Sequence, residues 1–558
     1  MLRTLGFGVA ALGVALPLFF GGCGSSGSAG DTGEGGVDGT SSGSGGSSGG
    51  SSGGGSGGSS GGGSGGGSGS SSGSAGASVL QFHNHPNRDG LFVDAKLTEA
   101  AVASMHLDTT FVGTLSGQVY ASPLYVENGA GGKGTFYVAT ESNSVYALDE
   151  TTGSVDWTTD SSKLGMPASN PPCGNIAGNG NTLGITGTPA IDLGARLMVL
   201  DAAVADGSGN IGSHTIFGLS IDDGSVKWSV DLSKMSASGV TFNPPPQNER
   251  GAVLIVGGIA YVVFGGHYGD CGDYHGWVVG VPLSGTGAKA WVTQVKGAGI
   301  WGPGGAASDG QSIYVTTGNG FDSSATWAES EGVFRLDPGP SYAGTAADYF
   351  APSNWMSLDQ GDVDISGSGP LVIDAPSMTP STLVLAQGKD GNLYLLDRTN
   401  LGGVGTAKVG TLQVLSGEIT NAGAWATVGG STYVVVRPNQ GGSGMGCPNG
   451  MSGDLVGVKL DPAAATQQKM TVVWCVNAGG EGSPSITSSD GTHDPMVWTA
   501  GAQGSNRLHS WDLVTGAAVF QGGTASDALS KVHRFTAPIA VHGRIFVGAD
   551  ARLYAFTL

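Results

Sequence analysis

The densest gathering of side chains able to do chemistry is His267–Trp277, HYGDCGDYHGW. His267, Asp270, Asp273 and His275 offer imidazole and carboxylate ligands in one short stretch. Their spacing matches no defined zinc motif, and Cys271 is expected in a disulfide. An ordered, cross-linked loop is the expectation. A second gathering is Asp359, Asp362 and Asp364 in LDQGDVDISG. These are clustered hard oxygens of the kind that Ca²⁺ takes, without the spacing or the terminal Glu of an EF-hand. His83-Asn84-His85 lacks the arrangement of an HNH nuclease and reads as a loop that docks the N-terminal segment. No stretch carries a nucleophile motif for hydrolysis.

The elements that must position these groups are short strands. Phe136–Trp157, FYVATESNSVYALDETTGSVDW, holds three of them, Phe136–Ala139, Val145–Leu148 and one starting at Val155–Trp157. Asp149 and Gly153 suit the second turn, Asp by side-chain capping and Gly by tolerating positive φ. Copies follow at Phe217–Trp228, Leu393–Asn400 and Leu508–Phe520. An opening strand also recurs after Ser122-Pro123, Thr188-Pro189, Gly251-Ala252, Gly305-Ala306, Gly369-Pro370, Gly423-Ala424, Ser483-Pro484 and Ala537-Pro538. These starts lie roughly 50–70 residues apart, slightly longer than the usual propeller period. The pattern predicts an all-β, eight-bladed β-propeller with four antiparallel strands per blade.

GQVYASPLYV (Gly117–Val126), GITGTPAID (Gly184–Asp192), DYHGWVVG (Asp273–Gly280), TTGNGFD (Thr316–Asp322), DYFAPSN (Asp348–Asn354) and GKDGNLYLLDRTN (Gly388–Asn400) resemble the PQQ-like β-propeller repeat of the quinoprotein alcohol dehydrogenase-like superfamily. The resemblance covers most of the chain after Val79 and extends to exported bacterial propellers of unassigned activity. It implies that loops between second and third strands share one face with the loops joining blades. That face would carry Glu141, Asp273, His275, Asn319, Lys389, Asp390 and Arg437 from the former, and Trp301, Asp362, Asp364, Glu418, Glu481, His533 and Arg534 from the latter. A central depression lined by convergent polar groups is the default ligand site.

The resemblance also raises a dehydrogenase using pyrroloquinoline quinone (PQQ) with Ca²⁺. Such an enzyme needs an aromatic floor, in many cases an adjacent-Cys disulfide ring, an ion that polarises the quinone and an Asp base. Here only Trp301 suits stacking. No Cys-Cys pair occurs, no CxxCH haem motif is present, and no ligand-and-base set transfers. No cofactor is therefore expected, and a PQQ-dependent oxidoreductase of alcohols or sugars is the alternative to a binding or scaffold module.

Composition narrows the setting. The formal net charge of −20 repels nucleic acid and anionic lipid. Residues 1–23 look like a lipoprotein-type export signal. Arg3 precedes an apolar run, Leu5–Phe20, and Gly21-Gly22-Cys23 then resembles a lipobox with Cys23 as the lipidated residue. Residues 24–78, almost pure Gly and Ser, predict a disordered tether with a span of roughly 40 Å, leaving 79–558 as the propeller. Four further cysteines allow three connectivities, of which Cys173–Cys271 and Cys447–Cys475 are favoured. Thr98–Met105 suggests a short helix. The last blade shows three strands, so Thr110–Leu115 is the candidate for its missing outer strand. The combined expectation is a monomeric lipoprotein of the bacterial envelope, at the outer membrane or cell surface. It would touch membrane only through its anchor and bind a protein or a small-molecule or glycan ligand.

Overall fold

A computed structural model describes residues 78–178, 180–321, 326–414, 417–439, 446–448 and 450–558. The signal, nearly all of the tether, Cys23, Asp322 and Gln440 lie outside them. In the first blade the strands are Leu124–Val126, Thr135–Thr140, Ser144–Asp149 and Val155–Thr159, paired antiparallel in chain order. The turn chemistry is as the residues dictate. Asp149 accepts the Thr151 and Thr152 N–H groups at 3.1 and 2.9 Å, and Gly153 sits at φ 69°.

Seven further sheets repeat this plan. Their innermost strands are Ala190–Asp192, Leu254–Val256, Ala307–Ser308, Leu371–Asp374, Ala424–Val428, Ser485–Ser488 and Ile539–Val541. The chain is an eight-bladed propeller of four-stranded blades. The fourth and seventh blades each gain an extra parallel strand, Gly403–Gly405 and Leu91–Val93. Outer-strand tryptophans link neighbours. Trp157, Trp228 and Trp474 donate their indole N–H to Ile221, Leu283 and Leu513 of the next blade at 3.2, 2.8 and 2.8 Å. Each ring lies so close to Gly224, Gly285 or Gly516 of that neighbour that a Cβ there would collide with it.

The N-terminal segment threads the middle of the ring and meets all eight blades. Val79 pairs with Tyr125, and the Leu80 carbonyl accepts from Ile191. Arg88 donates to the Val253 carbonyl. The carbonyls of Pro86, Asn87, Asp89 and Gly90 accept from Ser308, Val372, Trp425 and Ile486. Asp94 accepts from the Gly543 N–H of the eighth blade. Phe82 packs against Ala252, Ala422 and Ala537 of the third, sixth and eighth blades together, which only an axial position allows. The segment therefore fills the central channel, which gives the docking loop at His83–His85 a definite place.

Closure uses the N-terminal region, with a correction to the strand. The regular outer strand of the eighth blade is His106–Leu107, antiparallel to Arg552–Thr557. Of Thr110–Leu115, Thr114 alone bridges to Arg552. The physical reason is Asp108, which accepts from the N–H and hydroxyl of Thr110 at 2.9 and 2.6 Å and turns the chain out of the ladder. Phe111 then drops into the core beside Phe136 and Phe546. The short helix spans Glu99–Val102, capped by Thr98. Disulfides join Cys173 to Cys271 and Cys447 to Cys475. The first ties the linker entering the second blade to the long third-blade loop.

Candidate functional site

One wall of the loop-rich face is built by the third, fourth and fifth blades. Trp301, in the loop entering the fourth blade, donates its indole N–H to Asp364 at 3.2 Å. Lys389, in the fifth blade's second-to-third strand loop, pairs with Asp364 at 2.7 Å and Asp362 at 2.8 Å. The backbone N–H of Asn319 donates to Asp364 at 2.6 Å. Arg250, entering the third blade, lies over the Trp301 ring at 5.0 Å, and Lys389 lies 5.3 Å from it. Burial opposes the charge of Lys389, but Asp364 and Asp362 more than offset it and raise its pKa. The structure thus brings together Trp301, Asn319, Lys389, Asp362 and Asp364.

Other expected residues are placed differently. Glu141 is buried between the first two blades, where its carboxylate accepts from the Gly184 N–H at 2.7 Å and the Thr186 hydroxyl at 2.8 Å. Burial pushes its pKa up to about 7. His275 is buried, bonded to the Thr293 carbonyl at 2.8 Å, and burial lowers its pKa. Asp390 caps its own turn through the Asn392 N–H at 3.0 Å and the Tyr394 hydroxyl. Arg437 is buried against Asp454 at 2.9 Å and Asn439 at 3.1 Å. These four brace loops. Asp273 is exposed and pairs with Lys296 at 2.7 Å. Glu481 pairs with Arg534 at 3.3 Å on the seventh and eighth blades.

The sequence reading missed Glu249, Arg250, Glu331 and Tyr120. Glu249 accepts the Gly187 N–H at 3.0 Å, and burial raises its pKa well above the usual carboxylate range. Glu331 accepts the Ile365 N–H at 2.8 Å and is raised by burial in the same way. Tyr120 stacks on His533 at 4.3 Å and donates to the Ile176 carbonyl at 2.7 Å. The available signal was Glu249-Arg250 standing directly before Gly251-Ala252, where no other blade places a basic residue.

The donor set does not fit PQQ with Ca²⁺. Asp364 is held by Lys389, Trp301 and the Asn319 N–H, so an ammonium sits at the carboxylate an ion would need. Asp359 takes the Gly320 N–H and the Ser330 hydroxyl, both at 2.9 Å, and burial raises its pKa to about 6. Among the described residues no three His, Cys, Asp or Glu side chains form a metal-holding group, and Asp362 and Asp364 are instead paired with Lys389. Cys173 and Cys271 lie 98 residues apart, so their disulfide is not an adjacent-Cys ring.

Residues 98–337 match the family model described as outer membrane protein assembly factor BamB. No curated protein matches. Solved structures do. The quinohaemoprotein alcohol dehydrogenase of Comamonas testosteroni aligns at 15% identity and TM-score 0.56, covering 86% of this chain and 80% of that one. A quinohaemoprotein alcohol dehydrogenase of Pseudomonas putida HK5 gives 13% and 0.57 over the same shares. A europium-containing methanol dehydrogenase gives 13% and 0.55, covering 86% of this chain and 98% of that one. At these identities the likeness concerns fold. The described body of this chain is an eight-bladed β-propeller, the fold it shares with these neighbours.

Proposed function

We propose that this chain is a cell-envelope lipoprotein whose propeller is a binding or scaffold module acting through its loop-rich face. The observation that carries the reading is a set of buried polar atoms without partners at that end of the third to sixth blades. They include Glu249 Oε1, Glu331 Oε1, Ser366 Oγ and both amide atoms of Gln387 and Asn421. Leaving such an atom unmet costs about 1–3 kcal/mol, which ordered water or a bound partner at that end would offset. The match to an assembly-factor family model supports a protein partner in the envelope. The dehydrogenase neighbours support the alternative, a PQQ-dependent oxidoreductase of alcohols or sugars.

Reconstitution of the full chain with PQQ and Ca²⁺ separates the two. The expected result is no quinone absorbance, no rise in melting temperature and no alcohol- or sugar-dependent dye reduction. Stoichiometric PQQ binding with turnover overturns the binding reading. A second arm substitutes Asp273, Lys296, Glu481 and Arg534 together. Capture of envelope proteins by this variant should weaken while its melt stays within a few degrees of the parent. Undiminished capture counts against this face.

A further inference from the structure

Among the described residues three arginines are less than a tenth exposed, Arg88, Arg250 and Arg437. Two are held by several partners, although the Arg437 Nε has none. Arg88 donates to the carbonyls of Ala306, Phe82, Ala252 and Val253. Arg437 holds Asp454 and Asn439. Arg250 differs. Its guanidinium makes one hydrogen bond, to the Gly266 carbonyl at 3.0 Å, and its Nε has no partner. It is 7% exposed and forms no ion pair.

Nearby carboxylates are engaged elsewhere. Asp270 takes the Tyr274 hydroxyl at 2.8 Å, and Asp364 takes Lys389, Trp301 and the Asn319 N–H. Glu249, next in sequence, is bonded to the Gly187 N–H. Burial lowers the Arg250 pKa to about 10, partly offset by the charges of Asp270 and Asp364. Neither carboxylate forms an ion pair with the guanidinium, whose planar fork matches a carboxylate edge-on. Trp301 lies against it at 5.0 Å, which fixes the plane of the fork.

We propose that Arg250, braced by Trp301, is the recognition group for a small ligand that bears a carboxylate. This rests on the binding reading above and names the chemistry of its ligand. A planar carboxylate satisfies the free edge of the guanidinium with two parallel hydrogen bonds and neutralises its charge. A sugar acid meets these requirements.

The test uses the full chain with four probes, D-glucuronate, citrate, inorganic phosphate and D-glucose, followed by calorimetry and by tryptophan fluorescence. Glucuronate or citrate should bind the parent at millimolar concentration or below and perturb the fluorescence. Glucose should do neither. Arg250→Gln should weaken carboxylate binding at least tenfold, and Arg250→Lys should recover part of it, because charge remains while the fork is lost. Should Arg250→Gln not fold, the comparison of Arg250→Lys with the parent decides. Trp301→Phe should abolish most of the fluorescence change. Binding of phosphate without carboxylates, equal binding by Arg250→Lys and the parent, or silence with every anion overturns the proposal. Silent anions with face-dependent partner capture intact would remove this inference alone, whereas PQQ turnover would remove the reading beneath it.

Discussion

Glu141 stands in a polar loop, yet its carboxylate is turned inward and accepts from Gly184 and Thr186. Burial lifts its pKa from 4.5 to about 7, so the folded state holds a proton that the unfolded chain releases. The contribution to stability is present below the unfolded pKa and is lost as pH rises towards 7, worth about 3 kcal/mol by linkage. Melting temperature should therefore fall between pH 4.5 and 7, and Glu141→Gln should flatten that fall. An unchanged slope would mean the carboxylate titrates normally. The same contrast explains what could be read at the site. Trp301 and Lys389 were legible because both stand in loops the repeat places on one face. Arg250 was not, because its importance lies in the partners it lacks, and a missing partner leaves no mark in a sequence.

At the scale of elements, the turn signals located blades well, since Asp149 and Gly153 act through local geometry. The outer strand of the last blade was located less well. Its pairing is set by Asp108 and by Phe111 sinking beside Phe546, a contact with the far end of the chain. The axial segment was hidden for a related reason. Its hydrogen bonds reach all eight blades, dispersed along the sequence, and no periodicity records them. Deleting residues 24–76 should leave the melt unchanged, because a Gly- and Ser-rich stretch buries little. Deleting through Leu115 should give an aggregated or unfolded product, since it removes both the axial segment and the closing strand. A parent-like melt of the longer deletion, read by circular dichroism, would refute the closure described here.

The whole molecule joins a charge of −20 to a proposed lipid anchor. An acidic body is repelled by anionic headgroups, so retention at a membrane rests on Cys23. Cys23→Ala should move the protein into the soluble fraction or block its processing, and unchanged detergent partitioning would contradict lipidation. The axial segment carries one more consequence, for the order of events during biogenesis. Asp94 bonds to Gly543 across 449 residues, and His106 pairs with Thr557. A chain that crosses a membrane N-terminus first would deliver these early residues long before their partners. Until the last blade arrives, residues 79–107 have lost their freedom to nothing and the ring has open edges. Long-range closure of this kind is slow. In such an export the incomplete chain would remain threadable through a translocon, and the same delay would leave its strand edges dependent on protection until the final strand is through.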